Sequence, residues 1–121
     1  MARQLKSGTG WRLGWDEDAI AFQGLVGGDE WAIELTAVEL EDFCRLAAQL
    51  ATTLRQISPE LMDEERISCE VESELLWLEA EGYPYSYDLR LIVLTGRRGE
   101  GFWNALAVSE LLQAAQILKV F

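Results

Sequence analysis

The sequence predicts an α+β fold in which antiparallel sheet material packs against two long helices. Three observations carry this. Runs such as "GWRLGWD" (10–16) alternate apolar and polar residues, the period of a half-buried strand. At Thr36 and again at Asn104 the period changes to apolar spacings of three and four, the period of a helix. Both changes fall on residue types that cap helix N-termini.

In the first run Trp11, Leu13 and Trp15 share one face, with Arg12, Gly14 and Asp16 on the other. "DED" (16–18) makes a turn, and "AIAFQGLV" (19–26) follows with Ile20, Phe22 and Val26 on one side. "EWAIELT" (30–36) alternates again, with Trp31, Ile33 and Leu35 together. Three short strands joined by tight turns read as a meander. Gly27-Gly28 between the second and third runs reads as a hairpin turn with positive φ at both glycines. The pair is no phosphate-cradling loop. Asp29 and Glu30 follow it and repel anions, and a strand comes next where such a loop leads into a helix.

Thr36 and Glu39 form the capping-box spacing, and Leu35 with Leu40 form the hydrophobic-staple spacing. The stripe Leu40, Phe43, Cys44, Ala47, Leu50, Leu54, Ile57 extends a helix over about 37–56. "SPELMDEE" (58–65) is a linker with one helical turn, capped by Ser58 with Pro59 at its first position. "RISCEVESELLWLEAEG" (66–82) alternates, breaks near Ser73–Glu74, and is too long for one strand, so it is a hairpin or a bulged strand. "YSYDLRLIVLT" (85–95) is a long strand with Tyr87, Leu89, Leu91 and Val93 on one face. "GRRGEG" (96–101) is a turn, "FWN" a short strand end, and Asn104 caps a last helix carrying Val108, Leu111, Leu112, Ala115 and Leu118. This succession suggests one domain over 1–121 with two internal halves, 9–57 and 66–119, brought into register by a shift of 56 residues.

Composition narrows the function classes. The chain of 121 residues is half hydrophobic and has no histidine. Imidazole bases, Ser-His and Cys-His nucleophile pairs and histidine metal ligands are therefore excluded. Cys44 and Cys69 fall on apolar faces and read as buried reduced thiols. No apolar run is long enough to span a bilayer, and the first ten residues lack the apolar core of a signal peptide, so a cytoplasmic protein is expected. The net charge is −11, and 60–81 alone holds nine acids against Arg66. Such a field disfavours nucleic acid and suits a basic partner.

Glu70, Glu72 and Glu74 alternate along one strand face. They share one environment, whereas acid/base catalysis needs two carboxylates held apart in pKa, so a solvated or partner-binding face is the better reading. The spacing matches no metal loop, and neither a metal nor a cofactor is expected. The tryptophans alternate with aliphatic residues as core residues do. Tyr83, Tyr85 and Tyr87 project to one side of an extended "GYPYSYD" and form either an interface or an aromatic hairpin packed on itself. Arg90, Arg97 and Arg98 are the one basic cluster and the candidate phosphate contact, though Asp88 and Glu100 beside them favour ordinary surface pairing.

"GWRLGWD", "LVGGDEWAIELTAVELEDFCRLAAQL", "LMDEERISCEVES", "LWLEAEGYP" and "EGFW" together resemble domain-of-unknown-function family 1818, small proteins of cyanobacteria and plastids. The similarity runs from Gly10 to about Ala114. It implies a fold grouped with the Whirly-type single-stranded-DNA-binding regulators, built from two sheet-plus-helix repeats, and implies no established activity. Whirly proteins carry a Lys-Gly-Lys-Ala stretch on a strand, which this chain lacks. The expected function is a non-enzymatic module binding another protein through Glu70, Glu72, Glu74 and the three tyrosines. The alternative is single-stranded nucleic acid binding through the three arginines.

Overall fold

The structure, a computed structural model, describes residues 3–118. Two antiparallel four-stranded sheets and two helices make an α+β architecture. The first sheet runs β1 (Arg3–Gly8), β2 (Trp11–Asp16), β3 (Gly24–Gly27), β4 (Ala32–Leu35), and leads into α1 (Ala37–Ile57). The second runs β5 (Ile67–Glu72), β6 (Leu76–Tyr83), β7 (Ser86–Val93), β8 (Glu100–Trp103), and leads into α2 (Ala105–Ile117). Each sheet is a meander in sequence order. Both helices touch both sheets, and the buried side chains form one continuous cluster.

The capping box at Thr36 is present: the Glu39 amide donates to Thr36 Oγ1 at 3.2 Å, and the Thr36 amide to Glu39 Oε1 at 2.9 Å. Asn104 Oδ1 caps α2 by accepting from the Leu106 amide at 3.1 Å. The break at Ser73–Glu74 is a hairpin turn, because Ser73 Oγ accepts from the amides of Leu75 and Leu76. Leu89, Leu91 and Val93 are fully buried, as the alternation of β7 requires.

Five expectations are corrected. The first meander has four strands, since β1 pairs along the whole of β2. Its sequence shows no apolar alternation because it is an edge strand with Leu5 turned to solvent. The segment 19–23 is a loop, closed by the Asp16 amide on the Gln23 carbonyl at 2.8 Å and by Gln23 Nε2 on the Ala19 carbonyl at 3.0 Å. Ile20 is consequently 100% exposed, while Val26 alone of its predicted face is buried. Gly27 and Gly28 do not have positive φ; only Gly10 and Gly82 do among the described glycines. The tip of that hairpin is Asp29-Glu30, closed by the Gly28 amide on the Trp31 carbonyl at 2.9 Å. Gly27 is glycine because a Cβ there would meet the Trp31 carbonyl at 2.6 Å.

Ser58 closes α1 rather than opening the next turn. It is the C-cap residue, and its Oγ lies 2.6 Å from the Leu54 carbonyl and 2.9 Å from the Pro84 carbonyl. The 56-residue shift lays β2, the second strand of its sheet, on β5, the first of its own, and β4 on β7. That overlay does not match the topology. Residue 119, where the second predicted half ends, lies outside the described residues.

Trp103 joins the sheets. Its ring is 1% exposed, its Nε1 donates to the Gly27 carbonyl at 2.8 Å, and it contacts Trp31 and Phe43 at centroid distances of 5.0 and 5.8 Å. Trp103→Phe keeps the ring contacts and strands the Gly27 carbonyl. The expected loss is about 1–3 kcal/mol of unfolding free energy, read as a lower denaturant midpoint at unchanged slope.

Candidate functional site

The period-two pattern of the second sheet turns one face to the helices and the other to solvent. Register fixes the order of residues across the outer face. Glu70 stands opposite Glu79, then Arg90, then Phe102. Glu72 stands opposite Trp77, then Ile92, then Glu100, and Ser68 opposite Glu81, then Asp88. Glu70 and Glu72 thus lie on the predicted face, and the register adds Glu79, Glu81, Asp88 and Glu100 to it. Sequence reasoning left these four off the face because each sits on a different strand from Glu70, and Glu79 and Glu81 share its run only across the turn at 73–75. The signal was available as pairing between alternating strands, once the turns at 73–75 and 84–85 are placed. Glu74 lies in the β5–β6 turn and is not part of the strand face.

Several of these groups have partners. Glu79 faces Arg90 at 3.9 Å, and Glu81 faces Arg66 at 3.3 Å. Asp88 Oδ1 accepts from the Ala105 amide at 2.9 Å and so helps to cap α2. Trp77 Nε1 donates to Glu70 Oε2 at 3.3 Å. Arg66 lies over the Tyr83 ring at 5.2 Å. Glu79, Glu81, Asp88, Arg90 and Phe102 enclose a hollow of about 340 Å³. The carboxylates are spread over three cross-strand rows rather than converged on a point. Among the described residues no cluster of three or more acids or cysteines is placed to hold a metal ion. What the face offers is a negative surface with aromatic residues in it.

The tyrosines do not share a side. Pro84–Tyr85 is the β6–β7 turn, so Tyr83 ends β6 on the outer face while Tyr87, second in β7, lies on the inner one. Tyr83 and Tyr85 are exposed, and Tyr87 packs against the core. Burial pushes the Tyr87 hydroxyl pKa up. The arginines are also separated in role. Arg97 turns inward from the β7–β8 turn, pairs with the buried Glu39, donates to the Glu34 carbonyl and lies over the Phe22 ring at 4.6 Å. Arg90 faces Glu79 across the strands. Arg98 is exposed, in the same turn as Arg97, with a φ of 50°.

Fold and surface together define a small α+β protein of two four-stranded meanders, each followed by a capped helix. The family described as Domain of unknown function (DUF1818) matches residues 6–118, and the chain belongs to that family. It is similar in structure to a protein of unknown function from Prochlorococcus sp. NATL2A, solved as a crystal structure and described as from the DUF155 family. The TM-score is 0.90 and the identity 28%, over 95% of this chain and 97% of that one. No curated protein matches the chain. Among the described residues no helix is long and apolar enough to cross a membrane.

Cys44 and Cys69 are free and half-buried. Burial pushes the Cys44 thiol up to about 12, and burial followed by the Glu70 charge raises Cys69. Below its ordinary value near 9 the Cys44 thiol is protonated whether folded or unfolded. Above that value the unfolded chain ionises first, so Cys44 makes stability fall as pH rises from about 9 towards about 12. Unfolding free energies measured across this window should decline less steeply for Cys44→Ala than for the parent chain. A thiol reagent at about pH 8 should modify the more exposed Cys69 before Cys44.

Proposed function

We propose that the protein is a non-enzymatic binding module that docks a basic protein segment on the outer face of the second sheet. One observation carries this reading. Register places carboxylates directly opposite one another across strands, Glu70 against Glu79 and Glu81 against Asp88. Like charges so placed cost roughly 0.2–1 kcal/mol a pair, and lysine or arginine side chains laid over them relieve that cost. Trp77, Phe102 and Tyr83 on the same face supply the aromatic contact area that interfaces favour. The tyrosine turn contributes Tyr83 to this surface rather than all three rings.

The second reading, single-stranded nucleic acid binding, draws on the resemblance of the family to Whirly-type regulators, which is a likeness of fold. Two of its three arginines already face carboxylates, Glu79 and Glu39. Free thiols at Cys44 and Cys69 fit a reducing, cytoplasmic setting.

The test is recovery of a stoichiometric basic partner from source-cell extract, repeated with the double variant Glu72→Lys, Glu81→Lys and with rising salt. Recovery should drop at least about tenfold in the variant, and should fall with salt as exposed charges are screened beyond roughly 8–10 Å. A labelled single-stranded oligonucleotide should remain unbound at low salt. Undiminished recovery by the variant sinks the proposed face, and salt-sensitive oligonucleotide binding transfers the function to the second reading.

A further inference from the structure

A second concave surface lies on the opposite side of the β6–β7 turn. It is a cleft of about 270 Å³ between the last turns of α1, the outer side of α2 and residues 84–87. Its floor is apolar and buried: Ala51 and Leu54 from α1, Val108 and Leu112 from α2. Tyr85 and Tyr87 form one wall. Ser109, Gln113 and Gln116, spaced along α2, line the other. Among the described residues no side-chain hydrogen bond from protein reaches Tyr87, Gln113 or Gln116.

The charge of this cleft runs against that of the chain. Acids outnumber bases 21 to 10 in the sequence, yet among the described residues Arg55 is the one charged residue lining it. Arg45, Arg66, Arg90 and Arg97 each face a carboxylate within 4 Å. Arg55 instead donates to the neutral Thr52 hydroxyl at 3.2 Å and, among the described residues, forms no ion pair.

We propose that this cleft binds a small organic carboxylate, with Arg55 holding the carboxylate and the floor of Leu54, Val108 and Leu112 taking an apolar body. The volume is near the lower end of ligand clefts, which run from roughly 300 to 1,000 Å³, so the ligand is small. The guanidinium fork matches one planar carboxylate in a bidentate pair. A phosphate site draws on several free amides at a helix N-terminus. The first amides of α2 are instead taken by Asp88 and Asn104. The Tyr87 hydroxyl carries its proton at neutral pH, as a phenol does, and is available as a donor beside Arg55.

The site is independent of the acidic sheet face, so either can fail alone. The test is an amide chemical-shift titration of the full chain with 3-phenylpropionate, against 3-phenylpropionamide as the uncharged isostere. The acid should give saturable shifts at residues 85–87 and 109–116 with a dissociation constant of about 1 mM or tighter, and the amide should bind at least about tenfold more weakly. Arg55→Gln removes a surface side chain whose one hydrogen-bond partner among the described residues is on its own helix, so far-UV circular dichroism should be unchanged. In that variant the preference for the acid should vanish. Absence of saturable shifts at these amides overturns the proposal. So does equal affinity for the amide, full-strength binding by Arg55→Gln, or shifts confined to Trp77 and Phe102.

Discussion

The buried hydrogen bond from Trp103 to the Gly27 carbonyl is the contact on which the arrangement of the two sheets depends. The sheets share no ladder of backbone hydrogen bonds; each is complete as a four-stranded meander. Their relative placement is set by side chains where β4 and β8 approach each other. Trp103 fills that approach, and Trp31 packs against it from the first sheet with the ring planes tilted by 55°. Two glycines make room for this pair. A Cβ on Gly101 would overlap the Trp31 ring, and one on Gly28 would lie 2.5 Å from its Nε1. Trp31 and Gly101 are one device across the sheets: the ring carried by the first sheet occupies the space that a missing side chain leaves on the second. Arg12 completes it by donating to the Gly28 and Trp31 carbonyls at 2.8 and 2.7 Å, which holds the hairpin carrying Trp31 against β2.

Glu39 adds a second tie, and its position explains why a buried acid is tolerated. At 3% exposure it would be costly to ionise unpaired. It accepts from the Thr36 amide, from Thr95 Oγ1 at 3.2 Å and from the Arg97 guanidinium, so both oxygens are used. One residue therefore starts α1 and fastens the β7–β8 turn over it. Trp11 Nε1 on Glu110 at 3.0 Å does the same for β2 and α2. All three ties run between the first sheet-and-helix unit and the second.

Local periodicity made most of the architecture legible. Thr36, Glu39 and the stripe from Leu40 to Leu54 place α1 to within a residue of its end, because cap and stripe are both short-range features. What failed was non-local. β1 carries no alternation because an edge strand is defined by its neighbour, and "RQLKSG" gains strand structure only by pairing with β2. Ile20 and Phe22 read as strand residues by period, but Gln23 and Asp16 close the segment into a loop by hydrogen bonds that no period encodes. The site was half legible. Glu70 and Glu72 are visible as alternation on one strand, whereas their neighbours across the sheet need register. Arg97 looked like surface charge because its partner Glu39 is 58 residues away in sequence. Gly27-Gly28 looked like a φ requirement and is a space requirement, a difference that appears only once Trp31 and Trp103 have been placed.

The two proposed surfaces answer to different ranges of the same field. The charge of −11 is felt by a large basic partner over its whole approach, and the carboxylates of the second sheet concentrate that field on one face. Attraction of this kind sets encounter rate and orientation more than final affinity. A small carboxylate approaching Arg55 meets the opposite sign at long range. At physiological salt, however, exposed charges more than about 8 Å away are largely screened, and among the described residues the lining of the cleft holds one cation and no acid. Local contact then outweighs net charge. The apolar floor also excludes water from one side of the Arg55–carboxylate pair, where each charge interacts more strongly than in bulk solvent. A chain this acidic can therefore keep one site for an anion, provided that the site is small, lined without acids and served by an arginine that, among the described residues, is left out of every other ion pair. Arg55, at the end of α1 and facing Tyr87, meets each of those conditions.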